Sequence, residues 1–160
     1  MIKPLAALAA LLIASPLVAQ STATAPQYAT PLPGSWTYSP MASGSEATFA
    51  STSGLPQLTI RCDRTIRRVT IAKPATAAAP FMVVWTSSNS LSIPASFDPL
   101  TNRISASLPA YDGLLDAMSF SRGRIAVTVS GTPMLVVPAW PEVARVVEDC
   151  RMFTSLQVLR

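Results

Sequence analysis

The stretch PAWPEVARVVEDCR, residues 138–151, predicts a short amphipathic helix that carries one of the chain's two cysteines. Pro141 suits the first helical position, because its fixed φ is helical and its missing N–H would have no partner there. Apolar side chains then recur every three or four residues and share one helix face, namely Val143, Val146, Val147 and Cys150. The helix is therefore expected to pack on a core and to bring Cys150 into it.

The other cysteine, Cys62, ends a stretch of strict alternation, Leu58-Thr-Ile-Arg-Cys62. Alternate side chains of a strand point to opposite faces, so Leu58, Ile60 and Cys62 are expected inside and Arg61 outside. A second alternating stretch over residues 68–72 follows a polar connection, and the two predict a hairpin.

Further short strands are predicted along the chain. The apolar run at residues 81–86 is typical of a strand buried on both faces, residues 94–102 read as a loop, and residues 125–129 and 134–137 read as a hairpin. Asp112 can cap one or two helical turns that follow it. The pattern predicts a mainly β fold, an antiparallel β-sandwich or barrel-like domain with one or two short helices near the C-terminus.

The first 19 residues have the features of a secretory signal peptide. A short cationic start is followed by the largely apolar run of residues 5–18 and by a small residue at Ala19. Residues 20–34 are rich in Ser, Thr, Ala and Pro and predict a disordered leader, so the domain is expected to span residues 35–160. The mature protein is therefore expected to be periplasmic or secreted and not an integral membrane protein.

Residue counts exclude several kinds of site. The chain has no histidine, so Ser-His-Asp and Cys-His nucleophilic sites and histidine-based metal sites are excluded. Two cysteines cannot form a tetrahedral thiolate site, and in an exported protein they instead predict one disulfide, Cys62–Cys150. No metal and no cofactor is expected.

Few residues could serve a catalytic role. Lys73 is the only lysine after Lys3, but Thr70 lies three positions before it and is expected on the opposite face of a strand. Asp112 and Asp116 are spaced for one helix face and could act as an acid and base pair, although a helix cap and a solvated carboxylate explain them as well. A periplasmic carboxylate-based hydrolase is therefore the alternative to a binding or structural module without enzymatic activity.

Basic residues are concentrated in two short stretches. Seven of the eleven that follow Lys3 lie at residues 61–73 and 122–124. The candidate anion-binding residues are Arg61, Arg64, Arg67, Arg68, Arg122 and Arg124, and Lys73 lies in the first stretch. They predict an anionic envelope component or an acidic protein surface as partner, against the simpler interpretation of a solvated face. Nucleic acid is not expected, because no aromatic residues alternate with the arginines.

The chain resembles small exported proteins of Gram-negative bacteria in three features. These are a strand that ends in a cysteine, a late strand at Gly123-Arg-Ile-Ala-Val127, and a helix that ends at a second cysteine. The invasion-associated locus B type and periplasmic proteins that accompany type VI secretion share this outline over residues 55–151. The resemblance implies a periplasmic β-sandwich without catalytic residues. This chain differs from those proteins at residues 121–124 and has no lipoprotein cysteine.

Overall fold

The computed structural model describes residues 25–152. Ten strands and two helices lie in this range. The strands are β1 (Gly34–Met41), β2 (Gly44–Ser51), β3 (Pro56–Asp63), β4 (Arg68–Pro74), β5 (Phe81–Trp85), β6 (Ser90–Pro94), β7 (Ser96–Asp98), β8 (Arg103–Pro109), β9 (Arg124–Val129) and β10 (Leu135–Pro138). The helices are α1 (Gly113–Ser119) and α2 (Pro141–Arg151).

The strands form two antiparallel sheets. One has six strands in the order β1-β2-β3-β4-β8-β7, and the other has four in the order β10-β9-β5-β6. The mainly β prediction is confirmed, and the two sheets do not close into a barrel. Residues of both sheets and both helices contribute to one hydrophobic core, which follows from each sheet having an apolar inner face.

Alternation decides which face of the six-stranded sheet is buried. Leu58, Ile60 and Cys62 of β3 are buried in the core, whereas Arg61 is exposed. The predicted hairpin is confirmed, because β3 pairs with β4 and places Ile60 opposite Ile71. The outer face of this sheet is polar and the inner face is apolar.

Helix α2 closes the core over the inner face of the six-stranded sheet. It contacts β1 to β4 and packs beside α1, and its predicted apolar face is buried. Cys150 lies on that face and forms the predicted disulfide with Cys62, with 5.4 Å between the two Cα atoms. This spacing is ordinary for a disulfide, so the bond joins α2 to β3 where the two elements already meet.

Helix α1 begins at the predicted cap. The Asp112 carboxylate accepts a hydrogen bond of 2.8 Å from the backbone N–H of Leu114. Leu114, Leu115 and Met118 are buried, so the apolar face of this short helix also belongs to the core.

Two predictions about local structure are wrong. Residues 81–85 are buried on one face only, because Phe81 and Val83 are 53% and 37% exposed, and α2 packs on the other sheet. The expected loop at residues 94–102 contains the short strand β7, which pairs with β8. Strand β7 has only three residues, which are too few to show an alternating pattern in the sequence.

The segment at residues 25–33, part of the predicted leader, has defined contacts with the domain. The Leu32 N–H donates to the Val136 carbonyl of β10 over 2.7 Å, and the Thr52 N–H donates to the Pro33 carbonyl over 3.2 Å. The predicted signal peptide at residues 1–19, the first residues of the leader and the tail after residue 152 lie outside the described residues. None of the helices in residues 25–152 is long and apolar enough to cross a membrane.

Candidate functional site

Lys73 lies on the inner face of the six-stranded sheet, at the end of β4. Val69 and Ile71 are buried on this face, and the alternation continues to Lys73, which is only 5% exposed. Lys73 belongs to the same basic stretch of sequence as the hairpin arginines, but it lies on the opposite sheet face from Arg68. Lys73 and Thr70 thus lie on opposite faces of the strand, as their odd spacing predicts.

A cleft of about 550 Å³ opens beside Lys73. It lies between the end of β4 and the turn that joins β9 to β10, with the segment at residues 25–33 contributing one side chain. Its apolar lining consists of Leu32, Pro74, Ala75, Pro133, Met134 and Leu135. This volume is within the range of small-molecule sites, which are mostly apolar with a few polar groups.

The Lys73 ammonium is held by one hydrogen bond. Its Nζ donates to Thr132 Oγ1 over 2.8 Å, and the Thr132 hydroxyl donates in turn to the Val129 carbonyl over 3.0 Å. Thr132 is therefore an acceptor toward Lys73, not a hydroxyl that gives its proton to the amine, as a Ser-Lys nucleophile would. Within residues 25–152, the other two N–H groups of Lys73 have no hydrogen-bond partner.

Lys73 has no counter-ion in the described part of the chain. The cleft lining includes no aspartate or glutamate, and the ion pair between Arg151 and Asp116 does not involve Lys73. Burial lowers the pKa of the Lys73 ammonium, because a charge is less stable away from water. A buried cation without an anion is costly to a fold, which makes this position a candidate for ligand binding.

The hairpin arginines on the outer sheet face have acidic neighbours. Register places Glu46 directly opposite Arg61 and Asp63 directly opposite Arg68. Arg68 also donates to the side chain and the carbonyl of Ser107 over 2.8 and 2.7 Å. Cross-strand carboxylates lower the positive potential here, so this face offers an anion less than the sequence density of arginines suggests.

Arg64 and Arg67 lie in the connection between β3 and β4. Arg64 borders a shallow hollow of about 330 Å³ that includes Ser43 and Thr65. Arg67 has a positive φ of 50°, and its carbonyl accepts from the Ala110 N–H over 3.0 Å. The four hairpin arginines thus divide between the outer sheet face and a turn.

Arg122 and Arg124 differ in their surroundings. Arg122 is exposed, whereas Arg124 is half-buried and donates to the Ala29 carbonyl over 2.6 Å. Gly123 between them has a φ of +81°, which explains the glycine by turn geometry. Arg124 therefore holds the segment at residues 25–33, which carries the cleft residue Leu32.

Arg124→Ala should loosen this segment. A hydrogen bond from a charged group contributes about 1.5–3 kcal/mol, so backbone amides at residues 25–33 should exchange hydrogen at least about tenfold faster. Hydrogen exchange read by mass spectrometry measures this, with Arg122→Ala as the matched control that should leave exchange unchanged. Equal protection in both variants would show that the Arg124 contact does not hold the segment.

The candidate acid and base pair has structural partners. Asp112 caps α1, and Asp116 accepts from Arg151 over 2.6 Å. Neither carboxylate lines the cleft, and no group of three or more Cys, Asp or Glu residues within 25–152 could hold a metal ion. The two aspartates are therefore accounted for by a helix cap and an ion pair.

Searches of protein-family models, curated proteins and solved structures find no match to this chain. The resemblance to small exported proteins stays a prediction, and any assignment of function depends on the geometry of the cleft.

Proposed function

We propose that this protein is an exported binding module without enzymatic activity, and that its ligand site is the cleft beside Lys73. The observation that carries the proposal is a lysine, Lys73, that is only 5% exposed and lines an open, mainly apolar cleft without a counter-ion among the described residues. An anionic ligand would supply the missing charge, which is the chemistry expected of such a site.

Export is supported by two features. The N-terminal sequence has the organisation of a signal peptide, and the Cys62–Cys150 disulfide is typical of oxidising compartments. The proposed location is therefore the periplasm or the exterior, where the ligand would be a diffusible molecule or an envelope component.

The alternative, a carboxylate-based hydrolase, has less support. Acid and base catalysis needs carboxyl groups beside the substrate, and the cleft has none in its described lining. Asp112 and Asp116 also have the structural partners described above. A binding site thus fits the arrangement of charges better than a hydrolytic site does.

Blocking the cleft should abolish ligand binding. Thr76 is exposed and lines the cleft, so Thr76→Trp places a large side chain in it, whereas Ala78→Trp adds the same side chain at an exposed position outside the lining. The mature chain would be screened by ligand-detected NMR against small organic anions and their neutral analogues. Binders should lose at least about tenfold in affinity, about 1.4 kcal/mol, in Thr76→Trp and keep it in Ala78→Trp.

Two outcomes would contradict the proposed function. Equal binding by both tryptophan variants would place the ligand elsewhere, and an absence of binders across the screen would remove the case for a small-molecule site. Turnover of a screened ester, glycan or peptide that Asp112→Asn abolishes would favour the hydrolase.

A further inference from the structure

We infer that the ligand of the cleft is a monocarboxylate with an aliphatic body, whose carboxylate pairs with Lys73. This inference rests on the proposed function and adds the chemical class of the ligand. It follows from the charge, the open hydrogen-bond donors and the apolar lining of the cleft.

The charge of the cleft matches one negative charge. Lys73 is the one charged residue in the described lining, so a bound monoanion leaves the site neutral. A phosphate monoester carries about −1.5 to −2 charges at neutral pH, and the excess would have no second cation in the described lining. A cationic ligand would place a like charge beside the ammonium, which is unfavourable for both groups.

The donors at Lys73 fit a carboxylate. One N–H of the ammonium is directed to Thr132, whose own proton is directed to the Val129 carbonyl. The two remaining N–H groups have no acceptor in residues 25–152, and a carboxylate has two oxygens that can accept them. Such charge-assisted hydrogen bonds are about twice as strong as neutral ones.

The remaining lining fits an aliphatic body. Ala75 and Leu135 are buried, and Leu32 and Met134 are half-buried at the same cleft. These side chains offer an apolar surface that gains from burying methylene groups, at about a fourfold gain in affinity per methylene. Met134 can adapt to ligands of different shape, because its unbranched side chain is flexible.

Calorimetry with matched eight-carbon amphiphiles tests the ligand class. The mature chain would be titrated, below micelle-forming concentrations, with octanoate, octanol, octylammonium and octyl phosphate. Octanoate should bind at least about tenfold more tightly than each of the others, and affinity should rise about fourfold per methylene from hexanoate to decanoate.

Lys73→Met separates the charge from the cleft. Methionine keeps an unbranched side chain of similar length without the ammonium, so octanoate should lose at least about tenfold in affinity while octanol binds as before or better. Arg68→Met is the matched control, because it removes a cation from the outer sheet face and should leave octanoate binding unchanged. Octanoate that binds Lys73→Met as tightly as the natural chain would overturn the inference.

The failures of the two proposals are distinguishable. If octanol or octyl phosphate binds as tightly as octanoate and Thr76→Trp abolishes that binding, the monocarboxylate class is wrong and the cleft remains the ligand site. If no eight-carbon probe binds but another screened molecule is lost in Thr76→Trp, the class is again wrong. If octanoate binds equally to Thr76→Trp and to the natural chain, the site itself is wrong.

Discussion

Replacing Cys62 and Cys150 together by alanine should lower the free energy of unfolding by about 4.5 kcal/mol. The disulfide spans 88 residues, and closing a loop of that size removes about this much entropy from the unfolded chain on the chain-entropy model. Loss of the buried sulfur atoms adds to the cost, because both cysteines are 1% exposed. The effect is comparable to the total stability of many small domains.

Urea unfolding with and without reductant measures this effect. On reduction, the stability of the natural chain should fall most of the way to that of the double alanine variant. The stability of the double alanine variant should not change with reductant. A natural chain with the same unfolding midpoint in both conditions would show that the bond contributes little to stability.

Lys73→Met should raise the free energy of unfolding by about 1–2 kcal/mol at neutral pH in the absence of ligand. The substitution removes a buried cation without a counter-ion in the described residues and keeps most of its apolar volume. Such a gain at the cost of ligand binding is typical of residues kept for function. If Lys73→Met is as stable as the natural chain or less stable, the hydrogen bond between Lys73 and Thr132 stabilises the fold, and the prediction is wrong.

The same residue should make stability depend on pH. Burial lowers the pKa of Lys73 in the folded chain below its ordinary value of 10.5, which applies to the unfolded chain. At a pH between the folded and the unfolded pKa, the unfolded chain therefore binds a proton that the folded chain does not. Stability due to Lys73 therefore rises with pH up to about 10.5.

Tyr38 acts in the opposite direction. Its hydrogen bond to Asp149 raises the pKa of Tyr38 above its ordinary value of 10.0, and burial adds to this, so its contribution to stability is lost at higher pH. Because Tyr38 is the same in both chains, the difference between the natural chain and Lys73→Met isolates Lys73. That difference should shrink as the pH rises from 7 toward 10, and a constant difference would contradict the prediction.

Local periodicity was sufficient to predict both helices and most of the strands, but it did not predict β7 or which faces of every strand are buried. The alternation at residues 58–62 and the helical spacing at 143–150 each report a face that meets the core, and both predictions are confirmed. The run at residues 81–85 was misread, because an apolar run does not show whether a second layer covers it. Phe81 and Val83 are exposed because helix α2 packs on the other sheet and leaves their face uncovered.

The candidate site was harder to predict than the fold. The cleft joins residues far apart in sequence, since Leu32, Lys73 and Thr132 come from three separate segments. Nothing in the residues around Lys73 indicates that Thr132 will accept its hydrogen bond. The arginines were conspicuous in the sequence, but the carboxylates opposite Arg61 and Arg68 emerge only from strand register.

The burial of Lys73 also determines which cations the domain presents to its surroundings. Apart from Lys3 and Lys73, every basic residue of the chain is an arginine. Guanidinium groups remain protonated at any pH that a folded protein meets, and amine-selective acylating reagents do not modify them. Apart from the chain terminus, the domain therefore has one primary amine, which lies inside the cleft, where a bound ligand would shield it from such reagents.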